Sequence, residues 1–159
     1  MIQKEDKRQV TLNHTAQQEL IFDVYQRPDI EACGVLIGTL SNNDWYVEHA
    51  YPLRNAAHSP VYFEFAPEDL LAAELAYPQQ IVGVYHSHPT GYARASNTDQ
   101  ENMRRVNQEE DIPWIWLIVR GPFDVASQHE DACAFLEQRL VAYHHYQEEG
   151  LQRITIHYE

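Results

Sequence analysis

The chain has 159 residues, and its 44% hydrophobic and 22% charged content is ordinary for one water-borne globular domain spanning 1–159, while its formal net charge is −13. The longest apolar stretch, Ile112 to Val119, is strand-sized and contains Pro113, so no membrane span is expected; the acidic balance argues against nucleic acid as a partner, because phosphate binding relies on Lys and Arg. Two cysteines, Cys33 and Cys133, make neither a disulfide framework nor a CxxC zinc knuckle and are read as buried free thiols.

In chain order, the N-terminus MIQKEDKRQV has charges of both signs and no apolar centre. It does not read as a secretory leader, and a cytoplasmic location is the expectation. Gln9 to Leu12 reads as a short strand. Asn13 is placed to cap a helix running to about Gln26, with Ala16, Leu20 and Val24 on one face. Arg27-Pro28 ends it. Glu31 to Leu40 is expected as a buried strand, followed by a turn at Ser41-Asn42-Asn43-Asp44 and a return strand on which Trp45, Val47, His49 and Tyr51 alternate with more polar neighbours. A loop from Arg54 to Pro60 leads to a predicted short strand at Val61 to Phe65. Pro67 opens a second helix that stops near Tyr77-Pro78.

Next comes GVYHSHPTGYARASNTD, Gly83 to Asp99. Alternate side chains of a strand share a face, so His86 and His88 project together. A break at Pro89-Thr90-Gly91 follows, and Asp99 supplies a third ligand if the loop folds back. Two His, a carboxylate and a water form an open zinc site, the arrangement a hydrolase needs. Thr98 and Glu101 resemble a capping box opening a helix to about Glu109. Pro113 to Arg120 is the best candidate for a central strand, and Gly121-Pro122 ends it. The segment His129 to Arg139 fits helix or strand equally. Leu140 to Tyr146 and Leu151 to Tyr158 read as a closing hairpin around Glu148-Glu149-Gly150. Strands alternating with helices give an α/β class.

His-x-His, seven residues, Ser, two residues, Asp (His86, His88, Ser96, Asp99) resembles the JAMM signature of the MPN+ metalloproteases. Glu31-Ala32-Cys33-Gly34-Val35-Leu36-Ile37-Gly38 resembles the segment that presents the family's catalytic glutamate, and Asn55 also fits the pattern. The resemblance covers roughly Gln9 to Arg120. It implies a mixed, curved β-sheet flanked by helices with cytidine-deaminase-like layering, and one zinc ion on His86, His88 and Asp99. It implies Glu31 as the general base and Ser96 as the hydrogen-bond donor to the oxyanion. The implied reaction is hydrolysis of a peptide or isopeptide bond after the C-terminal Gly-Gly of a ubiquitin-like or sulfur-carrier protein. Alternatives are hydrolysis of a sulfur-carrier–amino-acid adduct such as one of cysteine, a small-molecule amidase, or a non-catalytic scaffold.

Several features temper the reading. Ala95 stands where the family usually has proline, and the chain has no room for the long insertions that grip linked ubiquitin in eukaryotic enzymes. Ser96 is also read as a helix cap, and Glu48 and Glu64 compete with Glu31 as the base. The remaining histidines, His14, His49, His58, His129 and His157, have no acid or His partner at useful spacing, and His144-His145 point to opposite faces of a strand. Amidohydrolases also use His-x-His, but on a barrel of about 250 residues. Zinc deaminases need a Pro-Cys-x-x-Cys that is absent here.

Overall fold

A computed structural model describes residues 8–124 and 131–159 of the chain. Strand β1 (Gln9–Leu12) leads through Asn13 into helix α1 (His14–Gln26), and the Asn13 side chain accepts the Ala16 N–H at 2.9 Å. Ala16, Leu20 and Val24 are buried along one face, as the spacing predicts. Strands β2 (Cys33–Ser41) and β3 (Asp44–Leu53) form a hairpin. Its two turn residues, Asn42 and Asn43, take φ of 51° and 61°, the left-handed pair that a tight hairpin requires and asparagine tolerates.

The expected alternation on β3 holds only for its first half. Ile37 faces His49 and Gly38 faces Val47, so Glu48 is an extra residue and the face presented inward changes. Trp45 and Val47 are buried, then Ala50, while His49 is left half-exposed, 3.0 Å from Glu19. His49 therefore has the acid partner that its sequence spacing did not reveal. Glycine is required at the bulge, because a Cβ on Gly38 would overlap the Tyr46 carbonyl.

No strand forms at Val61 to Phe65. The buried side chain of Asn55 does there what a ladder would do: it donates to the carbonyls of Glu31 and Tyr62, both at 3.1 Å, and accepts the N–H groups of Ala57 and Glu64 at 3.0 and 3.2 Å. Val61 and Tyr62 are left exposed. Helix α2 (Pro67–Ala76) starts at its proline and packs Ala73 and Leu70 over Val35 and Ile37.

Strand β4 (Ile81–His88) pairs with β2, then runs parallel to β5 (Ile115–Arg120), which is buried along almost its whole length. Helix α3 (Asn97–Arg104) lies between them in sequence and passes into a π-helical turn over Arg105–Glu109. Helix α4 (Ala132–Glu137) resolves the ambiguous stretch as helix; His129 and Glu130 lie outside the described residues. Cys33 is buried as expected, but Cys133 on α4 is only half-buried, its thiol donating to Glu137 at 3.2 Å. Strands β6 (Leu140–Tyr146) and β7 (Gly150–Tyr158) close the chain as a hairpin.

The sheet is mixed and curved, and the curvature continues until it closes. The order is β1-β3-β2-β4-β5-β6-β7, and β1 pairs in parallel with both β3 and β7. The expected curved sheet thus closes into a barrel, sealed by the four residues of the short first strand. Its interior is filled by Leu12, Leu36, Trp45, Tyr85, Ile115 and Leu117 with the apolar face of α1. Among the described residues, no helix is long and apolar enough to cross a membrane.

A buried polar staple fixes β4 from the inner side. The Tyr85 hydroxyl donates to Asp23 at 2.7 Å, and Arg27 donates to Asp23 at 2.6 and 2.8 Å. Arg27 also donates to the carbonyls of Leu53 and Cys33 at 2.7 and 2.9 Å. Helix α1 is thus tied to β2, β3 and β4 at the level of Tyr85, one residue before His86. Because side chains alternate, His86 and His88 leave on the opposite face.

Candidate metal centre

The two histidines and Asp99 come together as the spacing predicts. His86 Nε2 and His88 Nε2 are 3.1 Å apart, His86 Nε2 lies 3.3 Å from Asp99 Oδ1, and His88 Nε2 lies 3.1 Å from Asp99 Oδ2. Ligands about 2.0–2.1 Å from a tetrahedral ion stand about 3.3–3.4 Å from one another, so the three donors are spaced as they would be around one ion.

The hydrogen bonds make the same point chemically. His88 Nδ1 is 2.6 Å from the Tyr92 carbonyl, which has no proton of its own, so Nδ1 is assigned as the donor. In the neutral ring, Nε2 then carries a lone pair aimed at an ionised carboxylate. Two acceptors held face to face require a cation between them, either a proton or a metal. The same arrangement sets the titration. Asp99 is held far below the usual carboxylate range: burial opposes this, but the contacts with His86 and His88 outweigh it. His86 is lowered because burial disfavours its charge. His88 is raised: burial works against it, but Asp99 and the Tyr92 carbonyl win.

Asp99 reaches the imidazoles because of its helix cap. The expected Thr98–Glu101 capping box does not form. The box is Ser96–Asp99: the Ser96 hydroxyl accepts the Asp99 N–H at 3.1 Å, and Asp99 Oδ2 accepts the Ser96 N–H at 2.9 Å. That bond fixes the carboxylate that faces His88. Glu101 instead pairs with Arg104 at 2.6 Å. Ser96 is exposed and uses its hydroxyl only as an acceptor here, so its O–H is free to donate.

Glu31 sits at the entry to β2 rather than inside it. Its N–H donates to the Ser59 carbonyl at 2.9 Å and its carbonyl accepts from Asn55. Ser87, between the two histidines, accepts the Ala32 N–H through its hydroxyl at 2.8 Å and gives its own N–H to the Ala32 carbonyl at 2.8 Å. These bonds hold Glu31 beside β4, with one ligand atom each of Glu31, His86 and His88 within 4.8 Å of one another. Glu31 is thus a second acid near the pair, and Asp99 is the one in direct contact with both rings, at 3.1–3.3 Å. Glu31 is 3% exposed and its Oε1 has no hydrogen-bond partner among the described residues. Burial pushes its carboxyl up to about 8, with His88 opposing and Asp99 adding to the rise. Glu48 and Glu64 are both exposed.

Phe63 is the residue that sequence reasoning missed. Its ring stacks on His86 with centroids 4.7 Å apart and planes at 29°. No pattern in the sequence marks it, because the loop that carries it reads as a strand. Of the His144-His145 pair, His144 is buried against Trp45, with its Nδ1 2.8 Å from the Trp114 carbonyl.

Comparison with known proteins identifies the family. Residues 15–134 match the family described as prokaryotic homologs of the JAB domain. A desampylase of Pyrococcus furiosus is 35% identical over 102 residues, 62% of this chain and 66% of that protein. A desampylase of Haloferax volcanii is 38% identical over 78 residues, 46% of this chain and 55% of its own. Tail tip assembly protein K of Escherichia phage lambda is 43% identical over 56 residues, 35% of this chain and 25% of that protein. The chain therefore spans less than two thirds of the length of each of these relatives. In fold, a solution structure of a protein from Desulfitobacterium hafniense superposes with a TM-score of 0.70 at 23% identity, covering 94% of this chain and 92% of that one. With the family pattern matched over most of its length, the chain belongs to the prokaryotic homologues of the JAB domain.

Proposed function

We propose that this protein is a zinc-dependent hydrolase that cuts a peptide or isopeptide bond after the C-terminal Gly-Gly of a ubiquitin-like or sulfur-carrier protein. The observation that carries the reading is the 3.1–3.3 Å triangle of His86, His88 and Asp99 with the unpartnered Glu31 carboxylate beside it. Two relatives named desampylase support the de-conjugating reaction class.

In this reading His86, His88 and Asp99 hold one zinc ion. The donor set fits: two neutral imidazoles and a carboxylate suit zinc and leave a position open. A zinc ion bound there supplies Lewis acidity to the scissile carbonyl and acidifies water. Glu31 takes the proton from the attacking water and delivers it to the leaving amine, and its raised pKa suits a group that must both hold and release a proton near neutral pH. Ser96 turns its free O–H toward the oxyanion while still capping α3.

The test is metal analysis of the purified protein together with hydrolysis of Gly-Gly-tailed carriers joined to a protein, a peptide extension or a single amino acid. Stoichiometric zinc, release of the leaving part and loss of turnover in Glu31→Gln would support the reading. A zinc-free protein, or full activity in Glu31→Gln, would refute it.

A further inference from the structure

Against the net charge of −13, three of the eleven basic residues, Arg120, Arg139 and Arg153, line one cleft of about 540 Å³ where β5, β6 and β7 meet. Glu137 is the one carboxylate lining it among the described residues, and it accepts from the Cys133 thiol. Arg120 uses its Nε on the Gln138 carbonyl at 3.1 Å and makes no ion pair among the described residues; Arg153 makes none there either. The Arg139 guanidinium lies over the Phe135 ring at 4.2 Å, which fixes its plane. Three other arginines are paired with acids: Arg8 with Glu149, Arg54 with Glu68 and Asp69, Arg104 with Glu101 and Glu109. The cleft gathers into one lining two guanidinium groups that make no ion pair among the described residues.

The cleft shares a wall with the metal centre. Arg120 is the cross-strand partner of His88, and the next residue, Gly121, donates its N–H to the His88 carbonyl at 2.8 Å. Ala93, on the opposite rim, follows Tyr92, whose carbonyl orients His88. A substrate part leaving the metal centre on this side passes directly into the field of the arginines.

We infer that the Arg120–Arg139–Arg153 cleft is a carboxylate-binding subsite that takes an acid group on the leaving part of the substrate. The inference rests on the hydrolase reading above. Planar guanidinium groups match a carboxylate with two parallel hydrogen bonds. A long polyanion such as nucleic acid is disfavoured by the chain's net charge of −13. A single carboxylate is small enough to be neutralised locally.

The experiment compares a Gly-Gly-tailed carrier extended by one alanine with a free carboxylate against the same carrier ending in alanine amide. Wild type is expected to favour the free acid by about tenfold in kcat/KM, the size of one charge-assisted hydrogen bond. Arg120→Gln with Arg153→Gln, and the exposed Arg153→Gln alone, remove or reduce that preference while turnover of the amide is unchanged. No preference in wild type, or one that persists in the double variant, overturns the inference. A separate titration with triglutamate peptide and with inorganic phosphate, followed by amide shifts at Ala93, Arg120 and Arg153, reads the cleft without turnover. If no carrier is cut, the hydrolase reading fails. Saturable triglutamate shifts that vanish in the double variant then still support a carboxylate site, and their absence overturns it. Phosphate binding tighter than triglutamate also overturns it.

Discussion

Phe63 stacks on the imidazole of His86 at 4.7 Å, and His86 Nδ1, buried beneath it, has no hydrogen-bond partner among the described residues. Imidazoles that bind a metal are usually oriented through the second nitrogen by a carbonyl or carboxylate. His88 is held this way by Tyr92, but His86 is not. The aromatic face takes over the orienting role. Phe63→Ala should therefore weaken zinc binding by about tenfold, the lower range for losing an orienting partner, and Phe63→Tyr should restore it. Competition with a chromophoric chelator measures both. Unchanged affinity in the alanine variant would mean that strand β4 alone orients the ring.

Asn55 links the same loop to Glu31. Its side chain serves two carbonyls and two N–H groups at 3.0–3.2 Å, so Asn55→Ala leaves several buried backbone groups without partners. A cost of about 2–3 kcal/mol is expected, below the full sum because the loop can relax toward water. Urea unfolding would show it as a lower midpoint with unchanged slope. A midpoint equal to wild type would mean that the loop holds itself.

The stretches legible in sequence were those where local signals and tertiary demand agree. Asn13 caps α1, Asn42-Asn43 turns the hairpin, Pro67 opens α2, and the His-x-His strand lies beside a buried β5. The juxtaposition of His86, His88 and Asp99 was legible because a strand's period of two and a helix start place these residues with few free torsions. What failed depended on distant partners. The extra residue Glu48 on β3 is set by its pairing with Ile37 and Gly38, not by anything in its own neighbourhood. Val61 to Phe65 has strand-like composition, but it pairs with no strand, and two of its backbone groups bond to the Asn55 side chain. Two caps compete at the start of α3, because Thr98–Glu101 has the right letters as well. The actual pair, Ser96–Asp99, also has to face the histidines. Barrel closure by β1 could not be read from four residues.

The titration of the metal-free site gives a pH dependence of definite sign. Glu31 is raised from its ordinary 4.5 to about 8, chiefly by burial, and His88 is raised above its ordinary 6.5, where Asp99 and Tyr92 outweigh burial. Between pH 6.5 and 8 the folded protein therefore holds protons that the unfolded chain has released, and stability falls as pH rises. His86 is lowered, so its contribution is lost as pH falls below 6.5, outside this window. Chelator-treated wild type should show a falling Tm across pH 6.5–8, and Glu31→Gln a shallower fall. A Tm that rises across the window would contradict the assignment.

The Tyr85–Asp23–Arg27 staple should be tight but asymmetric. Asp23→Ala leaves the Arg27 guanidinium and the fully buried Tyr85 hydroxyl facing a gap, and a loss of about 3–5 kcal/mol is expected for breaking a buried pair from one side. Tyr85→Phe removes one hydroxyl and should cost about 1–2 kcal/mol. Thermal unfolding separates the two. Equal losses would mean that the hydroxyl, not the ion pair, ties α1 to β4.

Ser96 joins the helix and the proposed chemistry, and one substitution separates its two roles. Glycine at an N-cap costs only a few tenths of a kcal/mol relative to serine, whereas alanine costs about 1 kcal/mol. Ser96→Gly should therefore keep nearly wild-type stability and zinc affinity while removing the O–H that the proposed reaction assigns to the oxyanion. Loss of such a donor lowers kcat by about 100-fold to 1,000-fold. Ser96→Thr retains the hydroxyl and should recover most of the rate. Measuring kcat, zinc affinity and Tm on the same preparations distinguishes the outcomes. If Ser96→Gly turned over at the wild-type rate, Ser96 would be a cap whose work is to aim Asp99 at His88, and the oxyanion would need another donor.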